Sequence, residues 1–172
     1  MEKTNNVWRS MLKYLAIVLV IVGSVLVLIN TTVFILRVPS SSMEPTLNIN
    51  EEFLAKRVSD KDEITYGIYG FYSAEEDMMM VKRIVGLPGD ELEFVDGDMY
   101  RNNEPVDEDY ILYDAYFTAK FEVPEDSYLM LGDNRADSFD ARYWAQPYIP
   151  REDIVGKVIF RVRPFFRIGF VK

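Results

Sequence analysis

The chain has 172 residues, 19 Lys plus Arg against 28 Asp plus Glu, a formal net charge of -9, and neither cysteine nor histidine. That length suits one folded domain with an accessory element. The missing residue types exclude disulfides, a Ser-His-Asp triad, a Cys-His pair and any zinc site built on His or Cys, and the acidic balance argues against nucleic acid as a partner, since phosphate binding relies on clustered Lys and Arg.

From Tyr14 to Leu36 no residue is charged, and the 23-residue span is rich in Leu, Ile and Val. At about 1.5 Å per residue a helix over 14–36 covers roughly 34 Å, enough for a hydrocarbon core of about 30 Å. A removable signal peptide has a shorter apolar region, about 7–15 residues, closed by small residues, whereas Asn30-Thr-Thr-Val-Phe-Ile-Leu36 ends this one. The sequence predicts 1–13 as a cytoplasmic N-terminus, 14–36 as a single span of the cell membrane and 37–172 as an extracytoplasmic domain. Lys3, Arg9 and Lys13 set that orientation by the positive-inside tendency, and all but one of the acidic residues lie beyond Leu36.

Pro39-Ser-Ser-Ser-Met-Glu-Pro-Thr-Leu47 then places three serines between two prolines. Ser42 follows Leu36 by six residues, which an extended chain covers in roughly 20 Å, so its chemistry takes place near the bilayer surface. A serine hydroxyl needs a base to become a nucleophile. Without His or Cys, the candidates are a carboxylate or a lysine deprotonated by burial, and lysine is the better one.

Beyond Leu47 the apolar residues come in short runs separated by Gly, Pro, Asp and Asn, which predicts a mostly β domain. Met78-Met-Met-Val-Lys-Arg-Ile-Val85 sets Lys82 in an apolar strand, with Met80 and Ile84 on its face. An apolar wall there disfavours the ammonium form; the competing reading is an edge strand using Lys82 and Arg83 to resist pairing. Residues 91–124 form a smaller inserted β segment, with Asn102-Asn103 as a hairpin tip because Asn tolerates positive φ. Val155 to Val162 reads as a closing strand. The tail beyond it alternates Phe with Arg, a pattern that also suits an anionic membrane surface.

Three segments in order carry a resemblance. Pro39–Leu47 resembles the P-S-x-S-M-x-P-T-L nucleophile box of bacterial type I signal peptidases, Val81-Lys-Arg-Ile-Val-Gly-Leu-Pro-Gly-Asp90 their general-base box, and Gly132-Asp-Asn-Arg-Ala-Asp-Ser-Phe-Asp-Ala-Arg142 their G-D-N-R-x-x-S-x-D-S-R box. Met99–Asp107 resembles the segment between the last two, so the similarity covers most of 37–172. The eukaryotic type has His in place of Lys, and the absence of His leaves the bacterial Ser-Lys type, in its single-span form.

The resemblance implies an antiparallel β-barrel-like catalytic domain and an endopeptidase that removes signal peptides from membrane-tethered preproteins after small-x-small motifs. It makes Ser42 the nucleophile and Lys82 the general base. Ser40 and the Ser42 amide form the oxyanion hole, and Ser138 orients the lysine. Arg83, Asp133, Asp140 and Arg142 become supporting ion-pair residues. Ser41 falls in the variable slot and reads as structural. Ala141 replaces the family's serine, which puts one supporting hydrogen bond in doubt. Val38 and Met43 are expected at the walls of the substrate groove, with ordinary packing as their equal alternative. The partners implied are preproteins and the lipid bilayer, with no metal and no organic cofactor. The alternatives are a self-cleaving Ser-Lys relative of the LexA repressor, a silent homologue, and a membrane-anchored β binding module; the span and the acidity oppose the first, and the presence of both serine and lysine opposes the second.

Overall fold

The computed structural model describes residues 2–171. It divides the chain into a helical unit, residues 1–34, and a β unit, residues 35–172. The helix runs Glu2–Thr32, and its stretch Met11–Thr32 is long and apolar enough to cross a membrane. Its described side chains are exposed, as expected of a helix that is apolar all round. Within it the Ser24 hydroxyl donates to Val20 O at 2.8 Å and the Thr31 hydroxyl to Val27 O at 3.1 Å, so these polar groups are satisfied internally. The side chains of Lys3 and Arg9, on which the expected orientation rests, lie outside the described residues. The uncharged stretch runs past the end of the helix: Val33–Arg37 is already strand.

Among the described residues twelve strands follow: β1 (Val33–Arg37), β2 (Glu52–Arg57), β3 (Gly67–Ser73), β4 (Met78–Gly86), β5 (Glu91–Val95), β6 (Asp98–Arg101), β7 (Glu104–Pro105), β8 (Ala119–Glu122), β9 (Ser127–Leu131), β10 (Tyr148–Pro150), β11 (Ile154–Arg163) and β12 (Gly169–Phe170). An eight-stranded sheet has the order β1-β2-β11-β3-β4-β9-β10, with β12 paired to β11, and a four-stranded sheet the order β7-β6-β5-β8. The pairings are antiparallel, so the chain is mostly β as the sequence reads. Asn102 (φ 52°) and Asn103 (φ 66°) make the turn between β6 and β7, the left-handed geometry their side chains tolerate.

One apolar core joins the two sheets, with Tyr69, Phe71, Ile84 and Leu129 from the larger and Leu92, Phe94 and Met99 from the smaller. Gly86, at the end of β4, sits at that junction. A Cβ there would lie 2.6 Å from Leu92 Cδ1 and 2.8 Å from Val123 Cγ2, closer than packed carbons approach.

The tail divides its residue types. Arg161 Nε and Arg167 Nη1 turn inward to the buried Glu51 carboxylate, at 2.9 and 2.7 Å, and Arg161 Nη2 donates to Thr46 O at 2.5 Å. Phe165, Phe166 and Phe170 stay exposed. Two of the cations that could have met lipid headgroups are therefore engaged within the domain.

Gly86→Ala is expected to lower the stability of the full chain by roughly 1–3 kcal/mol, measured by urea unfolding in detergent. Gly169→Ala, where no atom lies within 4 Å of the added carbon, should leave the transition unmoved.

Candidate active site

Strand β4 is interior, paired with β3 on one side and β9 on the other, which removes the edge-strand reading of its charges. Lys82 stands opposite Tyr69 on β3, and Arg83 opposite Leu131 on β9. Lys82 is 2% exposed, and its Nζ donates to Ser138 Oγ at 2.9 Å. Burial pulls the amine from 10.5 to about 8; among its charged neighbours Asp140, Asp133 and Asp137 act in the opposite sense and Arg142 in the same sense as burial.

The serines reach this amine through the turn that follows β9. Asn134 N donates to Ser42 O at 3.1 Å and Asn134 Nδ2 to Ser41 O at 3.2 Å. Ser40 Oγ and Ser42 Oγ share a hydrogen bond at 3.3 Å. On the other side Val38 N donates to Glu51 O at 3.1 Å, so both flanks of the serine turn are fixed to the domain. Gly132 lies where the two halves meet. A Cβ on it would overlap both Ser42 O and Ser138 Oγ and lie 2.5 Å from Ser138 Cβ, so the close approach of the serine turn to the lysine's partner requires a residue without a side chain.

Two buried ion pairs surround the amine. Arg83 grips Asp133 with both arms, Nε to Oδ1 at 2.7 Å and Nη2 to Oδ2 at 2.8 Å. Arg142 does the same to Asp140 at 2.8 and 2.9 Å, and Gly132 N adds a bond to Asp140 Oδ2 at 3.0 Å. Burial pushes the Asp140 carboxyl up, but the Arg142 guanidinium and the Gly132 amide outweigh it and hold the group below the usual carboxylate range. Among the described residues Arg142 Nη1 is buried without a hydrogen-bond partner; the residue before it in the chain is Ala141, standing in place of the family's serine.

Ser40, Ser42, Lys82 and Ser138 are thus gathered in one place, with Arg83, Asp133, Asp140 and Arg142 around them. Val38 and Met43, which flank the three serines in the chain, are buried, at 2% and 1% exposure. Sequence reading missed Asn134 and Gly132 as organisers of the serine turn. It also missed the bond from Ser41 Oγ to Asp137 Oδ2 at 2.6 Å, and the cover over Arg83 and Arg135, where Tyr110 lies 3.8 Å above the Arg83 guanidinium and Glu108 pairs with Arg135. Among the described residues no group of three or more Asp or Glu is arranged to hold a metal ion.

Comparison with known proteins places the chain in a family. The family model described as signal peptidase, peptidase S26, matches residues 11–163. The chain belongs to that family. A relative named "Probable signal peptidase I-2" from Synechocystis sp. is 38% identical over 78% of this chain and 65% of its own length. "Signal peptidase IB" of Staphylococcus aureus (strain COL) is 31% identical over 96% of this chain and 93% of its own. A solved signal peptidase I from Enterococcus faecalis V583 aligns at 29% identity over 58% of this chain and 98% of its own, with a TM-score of 0.48.

Followed by NMR, the Lys82 amine should lose its proton near pH 8, the value burial imposes, in place of the ordinary 10.5. A midpoint near 10.5 would show the amine to be solvated.

Proposed function

We propose that this chain is a type I signal peptidase, a membrane-anchored serine endopeptidase that cuts N-terminal signal peptides from secreted preproteins. The observation that carries this reading is a buried amine on an interior strand, bonded to Ser138 and brought through Gly132 beside the Ser42 backbone. Support also comes from the family match and from the names of the relatives.

In this reading Ser42 Oγ turns from Ser40 to the neutral Lys82 amine when substrate enters, gives up its proton, and attacks the scissile carbonyl. The oxyanion is held by Ser40 Oγ and the Ser42 amide; one such donor contributes about 3 kcal/mol to transition-state stabilisation. Lys82 hands the proton to the leaving amine as the C–N bond breaks. It then takes a proton from water, the hydroxide attacks the ester, and Ser42 recovers its hydroxyl. The reacting groups are all side chains or backbone of this chain and one water. The helix Glu2–Thr32 anchors the enzyme, with the N-terminus in the cytoplasm and the β unit outside. Strand β1 closes one side of the sheet order and leads directly into the serine turn, so a preprotein segment with small side chains that adds to this edge is delivered toward Ser42.

In detergent, with a model preprotein as substrate, Ser42→Ala and Lys82→Ala are expected to abolish cleavage, and Gly132→Ala to lower it roughly 100-fold by displacing Ser138 from Lys82. Cleavage by wild type should fall as pH drops through about 8, because protonation of Lys82 removes the base. Equal cleavage by wild type and Ser42→Ala would refute the assignment.

A further inference from the structure

The slot between Ser40 and Ser42 carries a hydroxyl with a partner 96 positions away. Ser41 Oγ donates to Asp137 Oδ2 at 2.6 Å, a short charge-assisted bond. Asp137 belongs to a single 3-10 turn, Arg135–Asp137, capped by Asn134, whose Oδ1 accepts from Asp137 N at 3.1 Å. The same Asn134 holds the carbonyls of Ser41 and Ser42. The residue after Asp137 is Ser138, whose hydroxyl accepts from Lys82 Nζ. Adjacent side chains of one short turn therefore hold the two halves of the proposed catalytic pair: Asp137 holds the serine turn and Ser138 holds the lysine.

We propose that Asp137, acting through Ser41, is a positioning residue that fixes the serine turn relative to Lys82, so that Ser42 swings between Ser40 and the amine without the turn itself shifting. This rests on the assignment of Ser42 and Lys82 above and adds a residue pair to it. The hydrogen bond supplies geometry. The carboxylate also supplies charge: the groups acting on Lys82 from the turn after β9 are Asp140, Arg142, Asp133 and Asp137, and the residue facing it from β3 is Tyr69. The negative charge of Asp137 favours the protonated amine, so removing that charge moves deprotonation to lower pH.

The two contributions separate by mutation. Ser41→Ala removes the bond and leaves the charge; it is expected to lower kcat about three- to tenfold with KM unchanged, the range for one hydrogen bond near the surface. The acid limb of its pH profile stays where wild type has it. Ser41→Thr, which keeps the hydroxyl, restores kcat. Asp137→Asn keeps an acceptor for Ser41 and removes the charge, so its acid limb moves to lower pH with little change in the plateau. Asp137→Ala shows both effects, and adding Ser41→Ala to it lowers kcat no further.

Ser41→Ala and Asp137→Ala at wild-type kcat, or losses that multiply in the double variant, would overturn the proposal, as would an unmoved acid limb in Asp137→Asn. Ser42→Ala run alongside keeps the two levels apart: if it alone is dead while the Ser41 and Asp137 variants match wild type, the peptidase reading stands and the clamp falls. If wild type itself leaves the preprotein whole, the peptidase reading fails. The clamp is then tested without turnover by amide hydrogen exchange at Asn134, whose N–H holds Ser42 O: exchange speeds up in Ser41→Ala and Asp137→Ala if Asp137 acts as described, and unchanged exchange in both overturns it.

Discussion

The site depends on an amine placed where water cannot solvate its charge. Lys82 sits on an interior strand, and the loss of hydration there is the largest effect on its protonation. Three carboxylates stand close enough to oppose that effect. Two of them are committed elsewhere: Asp133 is gripped by Arg83 and Asp140 by Arg142, each through two hydrogen bonds. An arginine shared bidentately with a carboxylate offsets its field at short range, so the ion pairs around the lysine are part of what keeps it poised near neutrality as well as part of the scaffold.

Position is the second requirement, and the turn from Gly132 to Ser138 meets it for both partners at once. Its backbone and Asn134 side chain hold the serine carbonyls, its Ser138 hydroxyl holds the amine, and Gly132 leaves the room that lets these contacts coexist. Reacting groups misplaced by even an ångström lose much of their rate advantage, so one rigid turn touching both is an economical way to fix their separation.

Much of this was legible in the sequence because it is local. The apolar span, the punctuation of short strands, the Asn102-Asn103 turn and the apolar setting of Lys82 follow from neighbours along the chain. So do the three ordered boxes that mark the family. What the sequence hid depends on register across the fold. Ser41 meets Asp137 and Arg167 meets Glu51 only because β4, β9 and β11 pair as they do, and no spacing along the chain announces contacts between residues so far apart. The end of the helix is hidden for a different reason: hydropathy is blind to the change from helix to strand when both are apolar.

The tail shows how one composition can serve two environments. Alternating Phe and Arg suits a lipid surface, where rings enter the interface and cations meet headgroups. Here the cations of Arg161 and Arg167 point into the domain, sharing Glu51 and donating to the carbonyls of Thr46 and Pro45 just past the serine turn. A carboxylate as buried as Glu51 requires such partners, and the two arginines satisfy it while fixing the chain that leaves the turn. The turn is then held before Ser40 by backbone bonds from Val38 to Glu51 and from Asn50 to Val38, from the side by Asn134, and after Met43 by the tail. In a chain without disulfides, that threefold attachment is what keeps the proposed nucleophile in place.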